Sequence, residues 1–128
     1  MAGLGHKDLS GRVIEAAIAV HIALGPGFLE SVYENSLCVE LTAHGIHYEQ
    51  QKVITILYRD TKAGEHRLDL LVEKYLLVEL TAVKEIEDIF FTLGRSRMKA
   101  AGIRDGLILN FAAMSLTIKR IGPGFLSS

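Results

Sequence analysis

The hydrophobic positions of this chain change period part-way along it. In residues 8–24, Val13, Ile14, Ala17, Ile18, His21 and Ile22 recur at three- and four-residue spacing, which predicts a helix with these side chains on its buried face. Gly25-Pro26-Gly27 interrupts it, because proline disfavours helical geometry in the residue before it and glycine opens turn angles closed to other residues. A second helix is predicted over residues 28–43, with Leu29, Tyr33, Leu37 and Leu41 four apart and Gly45 at the expected left-handed cap. From Val53 branched and aromatic residues take over, giving a strand at 53–58, a turn of polar composition at 59–64 and a return strand at 66–72. The short link Glu73-Lys74-Tyr75 sets the next strand, 76–81, antiparallel to it. Residues 85–101 form a third helix ended by Gly102, and 106–111 and 116–121 read as two final strands.

With 128 residues, 49% of them hydrophobic and 23% charged, the pattern fits a single domain spanning residues 1–128 with one real core. No repeat or linker divides it. Cys38 is the only cysteine, which excludes an intrachain disulfide and a multi-cysteine zinc site and points to a reducing compartment. No stretch reaches the roughly 18 consecutive apolar residues of a membrane span, so the expectation is a soluble, cytoplasmic protein with no membrane partner. A net charge of −1 and a pI near 6.5 supply no global attraction to nucleic acid, so any such contact has to be local.

Strand parity makes the first chemical prediction. If residues 73–75 are the loop, Val72 faces Leu76, and counting back sets Asp69 opposite Glu79 on the same face. Both interrupt otherwise apolar strands, Leu68-Asp69-Leu70-Leu71-Val72 and Leu76-Leu77-Val78-Glu79-Leu80. Strands apolar on both sides are buried on both, and an uncompensated carboxylate pair there is costly. A cation relieves it, and oxygen-rich clusters suit Mg²⁺ or Mn²⁺. The plainer alternative is that the two charges face solvent. His6, His21, His44, His47 and His66 have no mutual spacing that defines a metal site, and Tyr33, in register with Leu29 and Leu37, reads as a core residue with a hydrogen-bonded tip.

Gly27-Phe28-Leu29-Glu30-Ser31-Val32-Tyr33 matches a GxxExxY signature, and the match continues through His66-Arg67-Leu68-Asp69-Leu70-Leu71-Val72-Glu73, Val78-Glu79-Leu80, Gly106-Leu107-Ile108-Leu109-Asn110-Phe111 and Ile118-Lys119-Arg120-Ile121. Over nearly its whole length the chain resembles the GxxExxY family of PD-(D/E)XK nuclease-like proteins. The resemblance implies an α/β fold, a central mixed five-stranded sheet flanked by helices in the order ααβββαββ. It also implies that Glu30, Asp69 and Glu79 are the carboxylates that hold one or two divalent ions, Mg²⁺ or Mn²⁺, for phosphodiester hydrolysis.

The departures matter as much. Where the family pattern reads E-L-K-A-V, this chain has Glu79-Leu80-Thr81-Ala82-Val83, so a neutral hydroxyl replaces the lysine. In the next helix, where the family tends to carry a histidine, a glutamine and later a tyrosine, equal-length alignment gives Phe90, Leu93 and Arg97. Lys84, Arg95 and Arg97 are the candidate substitute cations. Phe90, Phe91 and Leu93 add more apolar surface than one core-facing helix needs, which predicts a homo-oligomer built through them. Two functions follow, ahead of a third, a nucleic-acid-binding module without cleavage, which neither the charge balance nor a basic stripe with interleaved aromatics supports. One is a degenerate nuclease-like protein with reduced or no cleavage, acting as a self-associating or partner-binding scaffold. The other is a Mg²⁺- or Mn²⁺-dependent DNA or RNA nuclease with a displaced basic residue.

Overall fold

The computed structural model describes residues 6–122. Its elements are α1 (His6–Leu24), α2 (Glu30–Ala43), β1 (Tyr48–Tyr58), β2 (Thr61–Val72), β3 (Leu76–Thr81), α3 (Asp88–Ala101), β4 (Asp105–Asn110) and β5 (Thr117–Ile121). The predicted order, ααβββαββ, is the order observed. The five strands lie side by side in chain order in one mixed sheet. Every neighbouring pair is antiparallel except β3 and β4, which run parallel because α3 carries the chain back between them.

Alternation along the strands sends side chains into two cores. Leu70, Val72, Leu76, Val78, Leu80, Leu107 and Leu109 meet α1 and α2 on one face. Leu71, Leu77 and Ile108 meet α3 on the other, together with Met98, Ile103 and Ile121. The approach of α3 is close: a Cβ at Gly94 would lie 2.5 Å from Ile121 Cδ1, and one at Gly106 would lie 2.8 Å from Met98 Sδ.

Three local expectations are corrected. The buried stripe of α1 is Leu9, Val13, Ala16, Ala17, Val20 and His21, while Ile18 and Ile22 face outward, Ile22 with 79% of its surface exposed. The β1–β2 turn is only Arg59-Asp60, both in left-handed conformation, as a two-residue hairpin turn requires, and the strands extend to Tyr58 and Thr61. The polar stretch 61–65 reads as loop because this end of the hairpin projects past β3 and has no core face to pattern it; β3 pairs with β2 only at residues 70–72. Finally, α3 begins at Asp88 rather than residue 85, and Gly102 ends it in left-handed geometry.

Candidate active site

The predicted strand register is present: Val72 pairs with Leu76, Leu71 with Leu77 and Leu70 with Val78. One step further the ladder stops and side chains replace it. The Asp69 amide donates to Glu79 Oε2 at 3.0 Å, and the Leu80 amide donates to Asp69 Oδ2 at 2.9 Å. Where β2 and β3 part, each carboxylate therefore accepts the amide that would otherwise be orphaned.

Glu79 also takes a cation. Arg97, in the third turn of α3, donates from Nη1 to Glu79 Oε1 at 2.6 Å, with the two side chains 27% and 12% exposed. Of the three candidate cations, Arg97 is the one that reaches the carboxylates; Lys84 and Arg95 do not line their cleft. Arg97 Nε is buried with no hydrogen-bond partner. Burial, and after it the negative charge of Asp69, push the Glu79 carboxyl up to about 7 against the opposing pull of Arg97. Burial also raises Asp69, the Leu80 amide opposes it, and the charge of Glu34 adds to the rise.

Glu34 is a residue that the sequence reading passed over. It lies on α2 one turn after Glu30 and is almost wholly buried. Gln51 Nε2 donates to both of its oxygens at 2.9 Å, Gln50 Nε2 donates to Oε2 at 2.7 Å, and Gln51 also reaches Asp69 Oδ1 at 3.4 Å. Gln51 holds a φ of 54°, and the regular pairing of β1 with β2 skips it. This irregularity turns a strand residue toward the carboxylates, and a Gln-Gln dipeptide in a strand carries no sign of it. By contrast Glu30 is exposed at the start of α2, although it is among the residues that line the cleft described next.

The cleft measures about 290 Å³ and is lined by Glu30, Asp69, Glu79, Thr81, Arg97 and the apolar Val83, Phe90, Leu93 and Ile108, with Leu80. Thr81 is buried, 5% exposed. Beyond it Asn110 clamps the chain: its Oδ1 accepts from the Val83 and Ala112 amides at 3.1 and 3.2 Å, and its Nδ2 donates to the Val83 carbonyl at 2.8 Å. Phe90 and Phe91 are half-buried against the α3-side core, which leaves Leu93, 37% exposed, and Ile89, 54% exposed, as the open apolar part of this helix. Tyr33 is fully buried; its hydroxyl donates to the Gly25 carbonyl at 2.6 Å and its ring stacks on Phe111.

A family profile described as the PD-(D/E)XK nuclease superfamily matches residues 7–121. The chain belongs to this superfamily. Among solved structures it is similar to SSO0001, at 10% identity and a TM-score of 0.58 over 72% of this chain and 48% of that one. The chain thus spans about half the length of that relative, and the likeness is one of fold. It also aligns with an alkaline exonuclease (LHK-Exo) from Laribacter hongkongensis, at 15% identity and a TM-score of 0.49 over 88% of this chain and 79% of that one. No curated protein matches it.

PD-(D/E)XK nucleases typically use Mg²⁺ or Mn²⁺. The residues of this cleft, as arranged, do not fit such an ion. Among the described residues no three of His, Cys, Asp and Glu are placed to share a metal. Both Glu79 oxygens accept hydrogen bonds, one of them from a guanidinium that occupies the cation's electrostatic role, and both Asp69 oxygens accept as well.

Proposed function

We propose that this PD-(D/E)XK-fold chain has reduced or no nuclease activity and works as a self-associating or partner-binding scaffold. The observation that carries this reading is the Arg97–Glu79 ion pair at 2.6 Å. An arginine stays protonated, so it offsets the charge of Glu79 whenever that carboxylate is ionised and is a poor proton acceptor for activating water. The neutral Thr81 at the lysine position supports the same reading. Self-association is supported by large apolar side chains left outside both cores and grouped together: Ile22, 79% exposed, and Met114, 84% exposed, line one cleft with Ile18.

A second reading is favoured by the retained set. Asp69, Glu79, Glu30 and a basic residue still line one cleft, which is the inventory of a Mg²⁺- or Mn²⁺-dependent phosphodiester hydrolase with its cation moved to α3. The two readings part in a cleavage assay on DNA and RNA with Mn²⁺ or Mg²⁺, run beside light scattering. The scaffold reading expects a defined assembly and no metal-dependent cleavage above the Asp69→Ala, Glu79→Ala background. Cleavage that both substitutions abolish would establish the nuclease, and a monomer at high concentration would remove self-association.

A further inference from the structure

A second cleft, of about 420 Å³, opens between the β1–β2 hairpin and α3 and is lined by Thr55, Ile56, Leu57, His66, Ser96, Lys99 and Ala100. Each of its polar side chains is able to donate, and no carboxylate is among these lining residues. Glu65, next to His66 in the chain, is tied to Lys62 at 2.8 Å. His66 Nε2 and Ser96 Oγ lie 2.9 Å apart. Whichever of them donates, one donor remains for a ligand: the serine hydroxyl if the imidazole donates, the Nδ1–H if the serine does. Lys99 stands one turn beyond Ser96. The helix end it belongs to is already satisfied, since the Ile103 and Gly102 amides donate to the Met98 and Lys99 carbonyls at 2.9 and 3.3 Å, so its ammonium is not needed there.

We propose that this cleft binds the phosphate group of a nucleotide, with the Lys99 ammonium, the Ser96 hydroxyl and the His66 ring as its donors. The cavity is far larger than an inorganic ion, and Ile56, Leu57 and Ala100 give it an apolar wall for the rest of the ligand. Ser96 and Arg97 are successive residues of α3, so the helix serves this cleft and the carboxylate cleft from adjacent faces. The proposal holds whether or not the carboxylate cleft cleaves.

Isothermal titration of the full chain with inorganic phosphate, AMP and a ten-nucleotide oligo-dT tests it. Saturable binding is expected, weakened about tenfold or more by Lys99→Gln, the scale of one lost charge-assisted hydrogen bond, and weakened less by Ser96→Ala. Lys119→Gln, which removes the same charge from an exposed position on β5, is expected to leave it unchanged. Binding by oligo-dT above AMP assigns a nucleic-acid strand as the source of the phosphate, AMP alone assigns a free nucleotide, and phosphate bound as tightly as either overturns the nucleotide, leaving only an anion site. The proposal is overturned if none of the three probes saturates, or if Lys99→Gln and Lys119→Gln weaken binding equally. Thermal melting of each variant separates loss of binding from loss of fold.

Discussion

Asp69 and Glu79 each accept a backbone amide from the other's strand, at 3.0 Å from Asp69 and 2.9 Å from Leu80, so the two carboxylates continue the β2–β3 ladder with side-chain oxygens. Amide isosteres keep this acceptor function and alanine does not. Asp69→Ala and Glu79→Ala are therefore expected to be less stable than Asp69→Asn and Glu79→Gln by about 1–3 kcal/mol, the cost of a buried unpaired donor. Urea unfolding of the four variants measures the difference; equal midpoints would mean that the amides find other partners.

Stability should fall as pH rises. The folded Glu79 carboxyl is held at about 7 against 4.5 in the open chain, and Asp69 is shifted in the same direction. Between those values the folded state keeps a proton that the unfolded state has lost, so the slope of unfolding free energy with pH is negative. The loss begins near pH 4 and is complete above pH 7, with an upper bound on the order of 3 kcal/mol from Glu79. Glu79→Gln should flatten the profile in urea melts at pH 5, 6, 7 and 8. A wild-type profile that rises through this window would contradict the burial argument.

Arg97→Gln leaves Glu79 buried without its cation. The expected cost is about 1–3 kcal/mol at pH 8, reduced from that of a fully buried pair by the partial exposure of the arginine. It should shrink at pH 5, where Glu79 carries a proton and needs no cation. The paired substitution Thr81→Lys with Arg97→Tyr returns the cation to the strand and frees Glu79 Oε1. It is expected to bind Mn²⁺ more tightly than the wild type by calorimetry. An unchanged affinity would show that the guanidinium is not what limits metal binding at this cleft.

Gln51 combines a left-handed backbone with the link between Glu34 and Asp69. Gln51→Gly and Gln51→Ala lose the link equally, but only alanine bears the left-handed strain. The glycine variant should be the more stable by about 1 kcal/mol, the reverse of the usual order in a strand. Thermal melts decide, and alanine above glycine would mean that the backbone relaxes once the side chain is gone.

What the sequence made legible was whatever a core enforces. Val72 against Leu76, and so Asp69 beside Glu79, followed from apolar parity and a three-residue loop. The order of elements followed from changes of period. The hairpin end at residues 59–65 was misread because nothing packs there to impose a pattern. Glu34 and Gln51 were missed for a different reason: a buried acid and its amide partner look like surface residues until an irregular strand pairing brings them together. Arg97 stood among three candidate cations because helical phase relative to the sheet is fixed by the close seating of Gly94 and Gly106, which spacing alone does not report.

The sheet keeps its strands in chain order, and this has a kinetic consequence. The meander β1-β2-β3 needs only short loop closures, whereas β4 must wait for α3 to cross before it can join β3 in parallel. Loop closure therefore favours an order in which Asp69 and Glu79 meet while still open to water, ahead of the helix that brings Arg97. In that order their repulsion is met first by solvent and then by the guanidinium, and docking of α3 turns an exposed acidic pair into an interior ion pair.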